Sequence, residues 1–212
     1  MKFRHAAIFL IALNTVGHAQ VHKCPNGMYT DKACPDGSTG SEIKLPAAGM
    51  ATKIQFVSHL ETYPVHGRTW PEVYANMMRN GPYTAWARWN VKTSYSKKQS
   101  QETCSIEDLT ITIDGTIRMP EWQQRSSAAP KDRKGWDDSY AVLRIHEEGH
   151  IDHGKALAIL LREKIAGIGR QPCTQIDSIA KAAQSQLTER LQKSDEDYDR
   201  FTNHGLKQFN PD

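Results

Sequence analysis

The chain has 212 residues, 38% of them hydrophobic and 24% charged, an ordinary globular composition that excludes global disorder and a collagen-like repeat. Its formal charge of +3 falls to about +1 once Lys2 and Arg4 are set aside with a segment expected to be removed, so nothing points to a nucleic-acid partner. No run reaches the roughly 18 to 20 apolar residues that span a bilayer, and no membrane span is expected in the mature chain.

Residues 1–19 read as an export signal. Lys2 and Arg4 give a basic start, Ala6 to Leu13 a short apolar core, and Gly17-His18-Ala19 a small-x-small site that places cleavage near Ala19. The protein is therefore expected to be periplasmic or secreted. In that oxidising setting the four cysteines become disulfide partners rather than thiolate ligands. Of the three pairings, Cys24 with Cys34 and Cys104 with Cys173 is favoured, because the first two share a small unit over 20–35. That unit holds two short strand candidates around Asn26-Gly27 and is too small to own a core. A zinc knuckle is the competing reading of its cysteines, and export weighs against it. Residues 36–51, rich in Gly, Ser, Pro and Ala, read as a linker.

The main domain is expected over 52–212. Residues 54–57 form a strand candidate. Thr69-Trp70-Pro71-Glu72 opens a helix to about Arg79, with Thr69 as a cap and Asn80-Gly81-Pro82 as its stop. From 84 to 96 the pattern alternates, with Trp89, Val91, Thr93 and Tyr95 on one face, as a half-buried strand requires. Residues 103–113 continue the style, and Asp114-Gly115 predicts a tight hairpin turn into 116–119. The polar stretch 123–135 reads as a mobile segment. A long helix is expected from about Trp136 to Ile165, stopped by Gly167 and Gly169. Pro172-Cys173 turns the chain into a second long helix from Asp177 to about Phe201. The predicted class is α+β: an antiparallel sheet followed by two long antiparallel helices.

The first long helix contains His146-Glu147-Glu148-Gly149-His150. Residues four apart stack on one helix face, so both imidazoles can reach one Zn2+ while Glu147 lies beside the open position as general base toward a zinc-activated water. The bland reading, a helix with surface histidines, fits poorly, because Glu147 lies next to the face of Leu143, His150, Leu157 and Leu161 that a globular helix buries.

Catalytic zinc usually takes three protein ligands. His153 follows on the same face, but at 1.5 Å per residue it sits roughly 7 Å along the axis from the level midway between His146 and His150. A second helix returning antiparallel brings residues in the mid-190s and beyond to that level. His204, beside the helix-ending Gly205, is the first choice for third ligand, with Asp199 and Glu196 as alternatives.

These residues bring a resemblance into view. Val65-His66-Gly67-Arg68-Thr69, the Trp86 to Trp89 strand, Cys104, Met119-Pro120-Glu121-Trp122, Trp136, the His-Glu-x-x-His element and Tyr198-Asp199-Arg200-Phe201-Thr202-Asn203-His204-Gly205 resemble the predicted secreted bacterial zinc-dependent proteases grouped as domain of unknown function 922. The similarity covers about 52–208. The unit from Cys24 to Pro35 resembles a short form of a second bacterial envelope domain, number 4124. The first resemblance implies a zincin-like fold and metallopeptidase activity. The mechanism expected on this reading acts on a peptide or protein substrate, with zinc on His146, His150 and His204, Glu147 as general base, and Tyr198 or Asp199 orienting a ligand or stabilising the oxyanion. The strands before the helix would present an edge to an extended peptide. The alternative is a zinc-binding cell-envelope protein without turnover.

Overall fold

Alternation of apolar and polar residues over 103–107 and again, in the other phase, from Leu109 to Met119 makes this segment the centre of the main sheet. In the computed structural model, which describes residues 21–25, 29–30, 34, 39, 41–43, 50–79 and 84–205, it is one unbroken strand, β6 (Thr103–Trp122). Leu109, Ile111, Ile113, Ile117 and Met119 are buried on one face. Cys104 and Ile106, at even positions, share that face because the pairing register shifts beside Asp108 (φ 48°), a local irregularity that changes the phase of the alternation.

The remaining elements of the main body are β4 (Thr52–Val65), α1 (Trp70–Arg79), β5 (Trp86–Ser100), α2 (Pro130–Ala166), β7 (Gln171–Pro172) and α3 (Ile176–Thr202). Upstream lie β1 (Val21–Lys23), β2 (Tyr29–Thr30) and β3 (Ser41–Ile43), which form a separate three-stranded sheet in the order β2-β1-β3. The export signal, the Asn26-Gly27 turn and the Asn80-Gly81-Pro82 stop lie outside the described residues. Among the described residues no helix is long and apolar enough to cross a membrane.

The architecture is α+β, but the main sheet is mixed rather than antiparallel. Its order is β4-β6-β5, with β7 paired to the start of β6. β4 runs parallel to β6 and β5 antiparallel to it. After α1 the chain returns on β5 one strand's width away from β4, and β6 fills the gap, where both of its backbone edges find hydrogen-bonding partners. β4 is also longer than residues 54–57 suggest, since its pairing with β6 continues from Thr52 to Val65.

Asp114-Gly115 is not a turn. Both residues sit mid-strand, paired with Asn90 and Trp89 on one side and Val57 and Ser58 on the other. The hairpin turns instead at 101–102, where Gln101 takes φ 57°. Gly115 answers a packing need: a Cβ there would lie 2.9 Å from Ile151 Cδ1 of α2, so a side chain would push helix and sheet apart.

The first long helix begins six residues before Trp136. Pro130 stands in its first turn, where the missing N–H costs no helix hydrogen bond. Asp132 is buried and accepts from the Trp70 N–H (3.0 Å), while Arg125 binds Asp137 through two hydrogen bonds. The segment 123–135 is therefore ordered by tertiary partners rather than mobile. Ala156, Leu157, Ala158, Leu161 and Ile165 of α2 pack with the β6 face and with Ile176, Ala180 and Leu191 of α3 to form the main core. A second cluster, Val65, Val73, Met77, Trp122 and Trp136, fixes α1.

The stretch read as a linker contains β3, which pairs antiparallel with β1. Nor does the N-terminal unit stand apart. Val21 and Tyr29 join the main core, and Arg190 of α3 donates to the Tyr29 hydroxyl (2.6 Å) while lying over its ring. Among its described residues, Val21, Cys24, Tyr29 and Cys34 are all buried, the first and third in the main core and the two cysteines against Tyr198 of α3. Both favoured disulfides are present, Cys24–Cys34 and Cys104–Cys173.

Candidate metal centre

α2 and α3 run antiparallel, which brings the middle of α2 level with the C-terminal end of α3 and places four polar residues in register: His146 and His150 on α2, Asp199 and Asp195 on α3. Each pair is spaced by four, so each lies on one helix face. His146 Nε2 and His150 Nε2 are 3.3 Å apart, and Asp199 Oδ1 lies 3.0 Å from the first and 3.1 Å from the second. Among the described residues these three form a group whose donor atoms converge closely enough to hold one ion.

The outer partners of the rings decide where their lone pairs point. The Thr202 hydroxyl, buried in the last turn of α3, donates to the Tyr198 carbonyl (2.7 Å) and so is left to accept from His146 Nδ1 (3.3 Å). Asp195 Oδ1 accepts from His150 Nδ1 (3.0 Å). Assigned in this way, both rings carry their proton on Nδ1 and turn a bare Nε2 toward Asp199. Two lone pairs and a carboxylate oxygen facing one another repel unless a cation lies among them.

In the metal-free site a proton on His150 takes that cation's part. Burial alone would lower the His150 pKa, but the Asp195 and Asp199 carboxylates outweigh it and push it up to about 10. Burial opposes ionisation of Asp199 as well, yet hydrogen bonds from His146 and His150 hold its carboxyl well below the usual range. Asp195 is lowered against its burial by His150 and His153. It is held from three directions, because His153 Nδ1 and Trp89 Nε1 also donate to it.

Glu147 is buried (4% exposed) beside the pair. Burial pushes its carboxyl up to about 7, with the Asp199 charge adding to the effect and His150, the Ala87 N–H and His204 opposing it. It faces a cleft of about 710 Å3 that opens between α1, the start of β5, α2 and the end of α3. His146, His150, Asp199 and His204 share that cleft.

The other sequence candidates occupy distinct places. The chain leaves α3 through left-handed Asn203, His204 and Gly205 (φ 51°, 52° and 86°), which sets His204 at the cleft rim, half exposed, with Nδ1 3.5 Å from Asp199 Oδ1. Glu196 points away, 71% exposed near Lys193. His153 is fully buried and directed at Asp195. Tyr198 lies behind the imidazoles: its ring stacks on His146 (5.0 Å, 15°) and meets His150 and His153 edge-on. Gly149 makes room for it, since a Cβ there would fall 2.5 Å from the Tyr198 hydroxyl. The Cys24–Cys34 disulfide packs on the same tyrosine.

Residue-by-residue reading of the sequence missed Asp195 and the hydrogen bond from His146 Nδ1 to Thr202. For Asp195 a signal was available, because Asp195 and Asp199 repeat on α3 the four-residue spacing of His146 and His150. The family model described as a bacterial protein of unknown function (DUF922) matches residues 60–205. No curated protein and no solved structure matches the chain.

Proposed function

Because the chain belongs to DUF922, a family of bacterial proteins of unknown function, its activity has to be read from its own site, and we propose that it is an exported zinc-dependent peptidase. The observation that carries this reading is the convergence of two imidazole Nε2 atoms and one carboxylate oxygen, 3.0 to 3.3 Å apart, next to a buried Glu147. Bonds of about 2.0 to 2.2 Å to a tetrahedral ion place its ligands roughly 3.3 Å from one another, so the donor set fits zinc. His146, His150 and Asp199 are its ligands in this reading, and His204 stands at the rim. The helix pair packed on a sheet is read as zincin-like, and the N-terminal unit as a short domain of the 4124 type.

When bound, zinc supplies Lewis acidity toward a carbonyl oxygen and toward water. Asp195 and Thr202 hold the two rings with Nε2 forward. Glu147, with a carboxyl near 7 in the metal-free site, takes a proton from the attacking water and delivers it to the leaving amine. Tyr198 braces His146 and His150 from behind, a positioning role. Export through the segment ending near Ala19 accords with two disulfides, which persist in oxidising compartments.

The test is cleavage of casein by the purified mature protein, before and after chelation and zinc replacement, alongside zinc content of Asp199→Ala and His204→Ala. The account expects activity that follows zinc, and zinc lost from the Asp199 variant but kept by the His204 variant. One zinc per chain without cleavage would indicate a zinc-binding envelope protein instead. Full zinc in Asp199→Ala would refute the ligand set.

A further inference from the structure

The cleft runs from the metal centre between α1 and the start of β5, and its outer wall is apolar. Trp70, Tyr74 and Met78 line it from α1 and Leu143 from α2. Tyr74 and Met78 are 46% and 50% exposed and with Trp70 form one contiguous apolar wall of the cleft, the kind of patch that marks a binding surface. β5 is a terminal strand of its sheet. From Val91 onward α3 lies along it, with Gln184 donating to the Val91 carbonyl (3.4 Å) and Asp177 accepting from Tyr95 and Lys97. The stretch Trp86 to Arg88, before α3 takes over, borders the cleft, and the Ala87 N–H is turned to Glu147. One edge backbone group thus already faces the group that would handle the proton.

We propose that the cleft takes an extended peptide segment along the Trp86 to Arg88 edge and selects a bulky apolar side chain beside the bond to be cut, with Tyr74 and Met78 as the specificity-determining residues. The proposal rests on the peptidase reading for the position of that bond. Backbone pairing with β5 gives affinity without regard to sequence, and the apolar wall supplies the choice. Arg88, stacked over the Trp86 ring (4.6 Å), offers the competing possibility of an acidic preference.

The test uses three fluorescein-labelled octapeptides, identical except for Phe, Ser or Asp at one central position, titrated by anisotropy into zinc-loaded Glu147→Gln protein so that none is cut. Burying an aromatic side chain rather than a polar one is worth about 10- to 100-fold in affinity, so the Phe peptide should bind at least about tenfold tighter than the others. In the further variant Tyr74→Ser/Met78→Ser that ratio should shrink to about threefold or less, with the Ser peptide unchanged. No binding, equal binding of all three, tightest binding of the Asp peptide, or a preference that survives the double substitution would each overturn the proposal. Wild-type protein that binds the Phe peptide selectively yet leaves it uncut would remove the peptidase reading while leaving the apolar selectivity standing.

Discussion

Gly149→Ala isolates the contact between α2 and Tyr198. In an unencumbered helix interior alanine is better than glycine by about 1 kcal/mol, so a purely local view expects stabilisation. At position 149 the added Cβ would lie 2.5 Å from the Tyr198 hydroxyl oxygen, 2.7 Å from Cζ and 2.8 Å from Cε1. To reach ordinary carbon contact the ring has to retreat by roughly 0.7 to 1 Å. It has little room, because Tyr198 is 1% exposed and is backed by Cys24 and Cys34. Overpacking costs about 1 to 3 kcal/mol, which outweighs the propensity gain and leaves a net loss of about 1 kcal/mol. In a domain of this size Tm then falls by about 2 to 4 °C. Because the same ring stacks on His146, zinc affinity should fall with it. Thermal melts of the chelated protein and competition against a chromophoric zinc chelator read the two effects. A rise in Tm, or unaltered zinc affinity, would refute the reasoning.

Two further outcomes follow from the frame of the molecule. Replacing Cys104 and Cys173 by serine opens a link between residues 69 apart in sequence and should remove about 4 kcal/mol in the chain-entropy model; an unchanged urea midpoint would contradict it. Hydrogen bonds from Lys97 and Tyr95 hold the Asp177 carboxyl below its ordinary value of 3.8, so that contribution is complete above 3.8 and is lost as pH falls through the lowered value. Burial, reinforced by Asp177, pushes Tyr95 up to about 12, so its contribution is complete below about pH 10 and is lost as pH rises through about 12. Asp177→Asn should flatten both limbs of the stability profile and move one tyrosine part of the way back toward 10 in an ultraviolet titration, whereas an unmoved titration would contradict the Tyr95 assignment.

What the sequence made legible is what short-range periodicity controls. The four-residue spacing of His146 and His150, the alternation through Trp89, Val91, Thr93 and Tyr95, and the glycine stop at 167 all act within a few residues of one chain segment. The parts that escaped depend on a distant partner. Asp-Gly is a strong local turn signal, yet Ile151 pressing on Gly115 keeps 114–115 in the strand. The start of α2 looked polar and loose because its order comes from Trp70 and from Arg125 reaching Asp137. Near the end of α3, Glu196, Asp199 and His204 all have ligand chemistry. Helical phase helps to separate the first two: Asp199 lies about 40° from Asp195 and looks at the histidines, while Glu196 lies about 100° from Asp195, at the far side of Asp199, and meets solvent. His204 follows left-handed Asn203 and is itself left-handed, a departure that no periodicity announces.

The central claim is that Glu147 moves the proton in a zinc-dependent hydrolysis. Glu147→Gln keeps the size of the side chain and removes its basicity, while His146, His150 and Asp199 are untouched. Zinc content and peptide cleavage measured on the same preparation decide the matter. The account predicts one zinc per chain in both proteins and a rate reduced by about 100-fold or more in the variant, the scale of a lost general base. Equal cleavage by the two proteins at equal zinc would contradict it.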